Sequence, residues 1–385
     1  MNISDKQKSM CKNLPTFIFL IFIFGMGIWF MFSSKADYSS SEKRYLQKFP
    51  ETSLENISNG TFSTEFESYF ADHFPQRNLW VGINSYYNLG TGNNGANGVY
   101  KGNDGYLINV PVSIDNKLEK NINAVTKFGN STDVPITVML APSTGYVAES
   151  KLPLIHNTYN DDKYFQNAQA TLLENNIDFV DLRDTFKTAQ KSSVQLYYKT
   201  DHHWTTQGAY IAYTQLCQNL GLIPTSKESF EIERYSDFYG TTYSSSGFWL
   251  TQPDTVEVWK NPQNTEENIN VTITDGTETK ESNSMYFYDH IEKDDKYPVF
   301  LDGNHALTEI CNSNAENGTI VLIKDSFSHS LAPFLADHYK KVILVDMRYY
   351  KLSVSELAKK ENAEQIVVMY GIDNLATDTD IVWLN

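Results

Sequence analysis

The sequence predicts an α/β protein: a three-layer α/β/α domain with a mostly parallel sheet, held behind one N-terminal transmembrane helix. Three observations predict it. From about residue 112, short apolar runs alternate with helix-like runs, the pattern of a parallel sheet covered on both faces. Asp201, His203 and Ser326 each follow such an apolar run, and open α/β sheets bind ligands outside the carboxyl ends of their strands. Residues 15–32 are uncharged, aromatic-rich and long enough to cross a bilayer.

The N-terminal region divides by composition. Residues 1–14 are polar and basic and read as a cytoplasmic tail; 15–32 read as the anchor. Basic residues before the run and Trp29 near its far end place the rest of the chain outside the cytoplasm. A cleaved signal peptide is the rival, but Ser33-Ser34-Lys35-Ala36 is a poor cleavage site. Residues 33–110 form a tether with a helix and hairpins. Phe62, Phe66, Tyr69, Phe70 and Phe74 recur at helical spacing up to Pro75. Glycines between 90 and 105 mark turns around Val99-Tyr100 and Tyr106-Leu107-Ile108.

Residues 111–385 read as the catalytic domain. Helices are expected over 114–128, 161–175, 205–220, 328–338 and 353–360. Strands are expected over 134–141, 177–182, 194–199, 319–324, 342–346 and 365–370. Residues 225–315 interrupt the alternation as an irregular or β-rich insertion over the active edge. Tyr239, Tyr243, Phe248 and Trp249 within it either stack on sugar rings or pack as ordinary loop residues.

Composition excludes several classes. Hydrophobic content of 41% supplies a packed core. The net charge is −16; residues 1–32 carry +2, leaving −18 on the remainder. Such a surface does not attract nucleic acid. Three cysteines, Cys11, Cys217 and Cys311, make no disulfide scaffold, and no Cys/His cluster has zinc-ligand spacing. Neither a metal nor a cofactor is expected.

The chemistry concentrates in Asp201-His202-His203-Trp204. Histidine is the usual proton-transfer group near neutral pH, and a carboxylate two residues away can turn back to hold one ring nitrogen. The nucleophile this stretch lacks is offered by Ser326, at the end of an apolar strand. A helix beginning at 328 would aim its N-terminus at developing negative charge. The competing reading makes Ser326 a helix N-cap and packs Asp201 and His203 as a polar loop. His202 reads as a neighbour facing away. A metal held by Asp201, His202 and His203 is disfavoured because adjacent side chains rarely converge on one ion. Arg348 follows a strand at the same edge, where it either holds a ligand oxygen or is an ordinary surface arginine.

Asp201-His202-His203-Trp204 resembles the signature of the DHHW proteins, which are similar to the alginate O-acetylation proteins of the SGNH hydrolase-like superfamily. Further blocks fall in the family's order across roughly 40–375. They are Glu42-Lys43-Arg44-Tyr45-Leu46, Ala71-Asp72-His73-Phe74-Pro75, Val99-Tyr100-Lys101-Gly102, Lys324-Asp325-Ser326-Phe327-Ser328 and Asp346-Met347-Arg348-Tyr349-Tyr350. The resemblance implies an SGNH-like domain in permuted order, acting on an extracytoplasmic polysaccharide acceptor beside a membrane-bound O-acyltransferase that supplies acetyl groups. It implies Ser326 as nucleophile, His203 as base and Asp201 as orienter. Gly240 and Asn374 are candidates for the superfamily's oxyanion-binding Gly and Asn. Lys324 departs from the pattern, standing where many members have Gly. The expected function is O-acetyl transfer to a polysaccharide; the alternatives are an acetyl esterase with the same triad and a non-catalytic polysaccharide-binding subunit.

Overall fold

The computed structural model describes residues 5–39, 44–113, 116–192 and 194–384. Residues 1–4 of the expected tail, Glu42-Lys43 of the family blocks and the first two residues of the expected helix 114–128 lie outside these. Contacts divide the chain after Thr91. The smaller unit contains helices Asp5–Phe32, Thr61–Asp72 and Arg77–Gly90. Asn13–Phe32 is long and apolar enough to cross a membrane. The helix before Pro75 forms as expected; the one after it was not foreseen.

The larger unit is built on an eight-stranded sheet. In chain order its strands are β1 Ile136–Ala141, β2 Asp178–Asp181, β3 Ile269–Asp275, β4 Glu278–Ser282, β5 Leu307–Asn312, β6 Asn317–Lys324, β7 Tyr339–Val345 and β8 Ala363–Gly371. Their order across the sheet is β4-β3-β5-β7-β6-β8-β1-β2. From β7 to β2 the pairing is parallel. From β4 to β7 it is antiparallel, so the sheet is mixed.

Alternation along the strands supplies two cores. Ile320, Leu322, Val342 and Leu344 face one, while Val321, Ile323, Ile343 and Val345 face the other. Helices Arg183–Lys191 and Thr206–Leu220 contribute Phe186, Ala209, Ala212 and Leu216 to the first core. Helices Lys117–Gly129, Asp161–Glu174, Val354–Lys360 and Ile372–Thr377 cover the second. Each fully buried aliphatic side chain stabilises this arrangement by about 1.5–3 kcal/mol.

Three expectations are corrected. The stretch 194–199 joins no sheet: Leu196, Tyr197 and Tyr198 are buried, but pairing is confined to a bridge between Tyr197 and Trp204. The helix expected over 328–338 is two short turns, a 3₁₀ turn Ser326–His329 and an α turn Ala332–Leu335. Part of the segment 225–315 belongs to the main sheet as β3, β4 and β5; the hairpin Glu231–Phe238 with Asp254–Lys260, the helix Thr241–Ser246 and the turn Tyr297–Val299 lie outside it.

Candidate active site

The site lies at the carboxyl ends of β6, β7, β8 and β1. The loop after Tyr197 folds back on itself: Tyr198 N donates to His203 O at 3.1 Å and Thr205 N to Leu196 O at 2.8 Å. Thr205 then caps helix 206–220, its hydroxyl accepting from Gly208 N at 3.2 Å. Thr200 anchors the loop, its N–H and hydroxyl both donating at 2.7 Å to buried Asp254. This fold-back lets Asp201 reach the histidine two residues ahead.

Asp201, buried, receives four donors. His203 N and Nδ1 reach Oδ1 at 2.9 and 2.5 Å. Thr241 N and Oγ1 reach Oδ2 at 2.6 and 2.9 Å. With its proton held on Nδ1, His203 presents a bare Nε2, and Ser326 Oγ lies 2.6 Å from it. Tyr297 stacks on the imidazole at 4.0 Å between centroids and 9° between planes, and donates to Ser326 O at 2.9 Å. Trp204, fully buried, donates from Nε1 to Phe327 O and Ser330 Oγ, both at 3.0 Å. That indole joins the histidine loop to the serine loop.

Ser326 follows β6 and is partly exposed. Asp325 beside it is buried and accepts from Phe327 N at 2.9 Å, Gly371 N at 2.8 Å and Asn374 Nδ2 at 2.7 Å. Burial pushes its carboxyl up, while these donors oppose the shift. Asp325 thereby pins the end of β8 to the serine turn.

A second polar chain runs under the turn. Lys324 Nζ donates to Asp346 Oδ2 at 2.9 Å and to His329 Nε2 at 2.8 Å. Burial, with the Lys324 charge, holds His329 well below the ordinary histidine value, so it accepts as a neutral ring. Arg348 forks onto Asp346 through Nε at 2.8 Å and Nη2 at 2.6 Å, and Nη2 also meets Asn304. Together Arg348 and Lys324 hold the Asp346 carboxyl down against its burial.

Sequence reasoning therefore paired two distant stretches that the structure brings into hydrogen-bond contact. Of the two readings of Arg348, ligand-holding group or surface arginine, the structure matches neither simply: its guanidinium fork is occupied by Asp346. Gly240 belongs to the site for a packing reason: a Cβ there would lie 2.2 Å from Asp201 Cβ, and its N–H donates to Thr200 Oγ1 at 3.2 Å. Asn374 does reach the serine turn, through Asp325. Thr241, Tyr297, Asp254 and Asp325 were missed. Asp325 alone had a local signal, standing beside Ser326 in the quoted sequence block, but no role was assigned to it. His202, read as facing away, donates from Nδ1 to Thr241 Oγ1 at 2.7 Å, so it buttresses the group that holds Asp201.

Asp201, His202 and His203 each bring a ligand atom within 4.8 Å of the others. The fit to a metal is poor: both histidines use Nδ1 in hydrogen bonds and both Asp201 oxygens are engaged. Ligation would dismantle the His203–Ser326 geometry.

A family model described as DHHW protein matches residues 161–345, a span that contains Asp201, His203 and Ser326. It is 24% identical over 220 residues to the probable alginate O-acetylase AlgJ of Pseudomonas fluorescens, covering 53% of this chain and 50% of that protein; the chain thus spans about half the length of the curated relative it matches. A DHHW family protein from Eubacterium siraeum superposes with TM-score 0.60 at 18% identity, over 75% of this chain and 95% of the other. Bacillus cereus PatB1, in a structure with a sulfonyl adduct, gives TM-score 0.60 at 20% identity over 74% and 97%. At these identities the structural likeness shows a shared fold.

Proposed function

We propose that this chain is a serine-dependent O-acetyltransferase that acetylates hydroxyls of a cell-surface or secreted polysaccharide. The observation that carries the reading is the unbroken line from Ser326 Oγ through His203 to Asp201, at 2.6 and 2.5 Å. His203 Nε2 takes the Ser326 proton as Oγ attacks the acetyl carbonyl. The tetrahedral adduct collapses to acetyl-Ser326, and the imidazolium returns the proton to the leaving group. A sugar hydroxyl then attacks the acetyl carbon while His203 takes its proton, giving the O-acetyl sugar and restoring Ser326. Asp201 fixes the tautomer and stabilises the imidazolium in both halves. Asn374 spends one amide hydrogen on Asp325; the other, with the Ser326 N–H, serves the oxyanion. This chemistry is carried by side chains and calls for no cofactor.

The order of the blocks, Asp-x-His before Ser, supports a permuted SGNH hydrolase-like layout. The apolar helix supports a single-pass anchor with the catalytic unit outside the cytoplasm. A membrane-bound O-acyltransferase is the proposed acetyl supplier.

The test incubates the full chain in detergent with a chromogenic acetyl ester, then measures intact mass with and without oligosaccharide acceptors. Wild type is expected to gain one acetyl group, to lose it to the acceptor, and to be blocked by a sulfonyl fluoride; Ser326→Ala gains none. An active Ser326→Ala protein refutes the serine mechanism. Transfer to water alone makes the chain an esterase.

A further inference from the structure

Two cavities meet beside the proposed catalytic residues. The first, about 50 Å³, is lined by His202, Phe327, Asn374, Thr144 and Asp373 among others. The second, about 310 Å³, opens beyond it between Pro111, Asn157, Asp161 and Tyr164. Ser143, Tyr159 and Asp373 line both, so they form one trough leading away from the serine turn. The outer volume sits at the lower end of small-ligand pockets, the size class of a single sugar ring.

The lining has a definite charge character. It contains two carboxylates, Asp161 and Asp373, and neither Lys nor Arg. Asp161 is buried and held by Ser143, whose N–H donates at 2.7 Å and whose hydroxyl lies 2.6 Å from each oxygen. For Asp373, no donor is found among the described residues. Burial and the Asp161 charge push the Asp373 carboxyl up to about 7, as expected of a carboxylate pair that lacks a cation. Arg183, on the neighbouring helix, is spent on Asp181 and Asp162.

We propose that this trough is the acceptor subsite and that it takes a sugar carrying a free amino group, in preference to a neutral sugar and to the exclusion of uronates and phosphorylated sugars. An ammonium supplies the cation that Asp161 and Asp373 lack, while hydroxyls donate to the remaining carboxylate oxygens. An anionic sugar would add negative charge to a trough lined by carboxylates with no Lys or Arg to offset it. The inference rests on the transferase reading for its meaning, but its test does not require turnover.

Glucosamine, glucose and uronate oligomers of equal length are titrated into the full chain by calorimetry at pH 7. The expected order is glucosamine tightest, glucose weaker and uronate undetectable. Asp373→Asn is expected to weaken glucosamine binding roughly tenfold, the loss of one hydrogen bond to a charged group, and to move glucose less than threefold. Asp373→Glu keeps the preference, which separates charge from folding damage. Uronate binding as tight as glucosamine binding, or an unchanged preference in Asp373→Asn, overturns the subsite. Acetyl-Ser326 formation is measured separately. Its absence with the preference intact sinks the catalytic reading alone; its presence with no preference sinks the subsite alone.

Discussion

Asp201→Asn tests the core of the mechanism, because the four donors around this carboxylate leave an amide no good solution. If the amide oxygen faces Thr241, it keeps the Thr241 N and Oγ1 bonds. Its NH₂ then meets the His203 N–H head on, and His203 Nδ1 must lose its proton to accept. The proton moves to Nε2, which becomes a donor towards Ser326 and can no longer take its hydrogen. If the amide turns over, its NH₂ meets the Thr241 N–H instead. Either way one buried donor is left unpaired, costing about 1–3 kcal/mol of stability. In the first arrangement the base is also disabled. Loss of a correctly held tautomer costs roughly 10⁴-fold in kcat, about 5.5 kcal/mol of barrier. The assay is acetyl-ester turnover alongside thermal unfolding, with Asp201→Ala as a control that removes the carboxylate without imposing a tautomer. An Asp201→Asn protein within tenfold of wild type would refute the argument that Asp201 sets the imidazole.

Other outcomes follow from neighbouring contacts. Gly240→Ala drives a methyl to within 2.3 Å of Asp201 Oδ2; it should cost about 1–3 kcal/mol and lower turnover, read by melting temperature and ester hydrolysis. Trp204→Phe removes the donor shared by Phe327 O and Ser330 Oγ and should cost about 1–3 kcal/mol, with a fall in kcat at unchanged KM. Lys324→Met leaves the buried Asp346 with Arg348 alone and should cost about 3–5 kcal/mol, while Lys324→Met combined with Asp346→Leu recovers part of it; a double-variant loss equal to the sum of the two single losses would exclude coupling. For pH, the Asp373 carboxyl is raised by folding, to about 7. The folded state therefore binds its proton more tightly, and stability falls as pH rises from the unfolded carboxylate range through 7. Asp373→Asn should then stabilise the protein at pH 8 more than at pH 5 in thermal unfolding, and equal shifts would contradict the assignment.

What was legible in the sequence is what burial alone dictates. Strands β6, β7 and β8 are apolar on both faces because helices cover both. Strands β3 and β5 instead alternate, as in Ile269-Asn270-Val271-Thr272-Ile273, with burial confined largely to one side. Nothing local separates that pattern from a free surface hairpin, so the antiparallel half of the sheet was read as insertion. Residues 194–199 failed in the opposite sense: Leu196, Tyr197 and Tyr198 are buried like a strand's side chains, but the backbone bonds go to the loop that carries the histidines and to Leu107, not into the main sheet. The residues from Leu331 to Ala336 are buried all round, so apolarity there held no helical period and overstated a helix that ends within one turn.

The four-residue signature is explained by four separate duties, only two of which belong to the proposed proton relay. Asp201 and His203 stand in line with Ser326. His202 holds Thr241, which in turn holds Asp201. Trp204 reaches across to Phe327 O and Ser330 Oγ. A Ser–His contact between segments so distant in sequence is stable only if the loops bearing them are fixed to each other, since a displacement of about 1 Å can cost 10²-fold in rate. The indole supplies one such link, and Tyr297 supplies another by stacking on His203 while donating to Ser326 O. Asp325 does the same on the far side, joining the serine turn to Gly371 and Asn374. A residue acting through such cross-links has no signature of its own in a sequence, because its chemistry is ordinary and its partner is remote. Thr241 and Tyr297 are of that kind. Trp204 was visible only because it sits beside a histidine that draws attention for another reason.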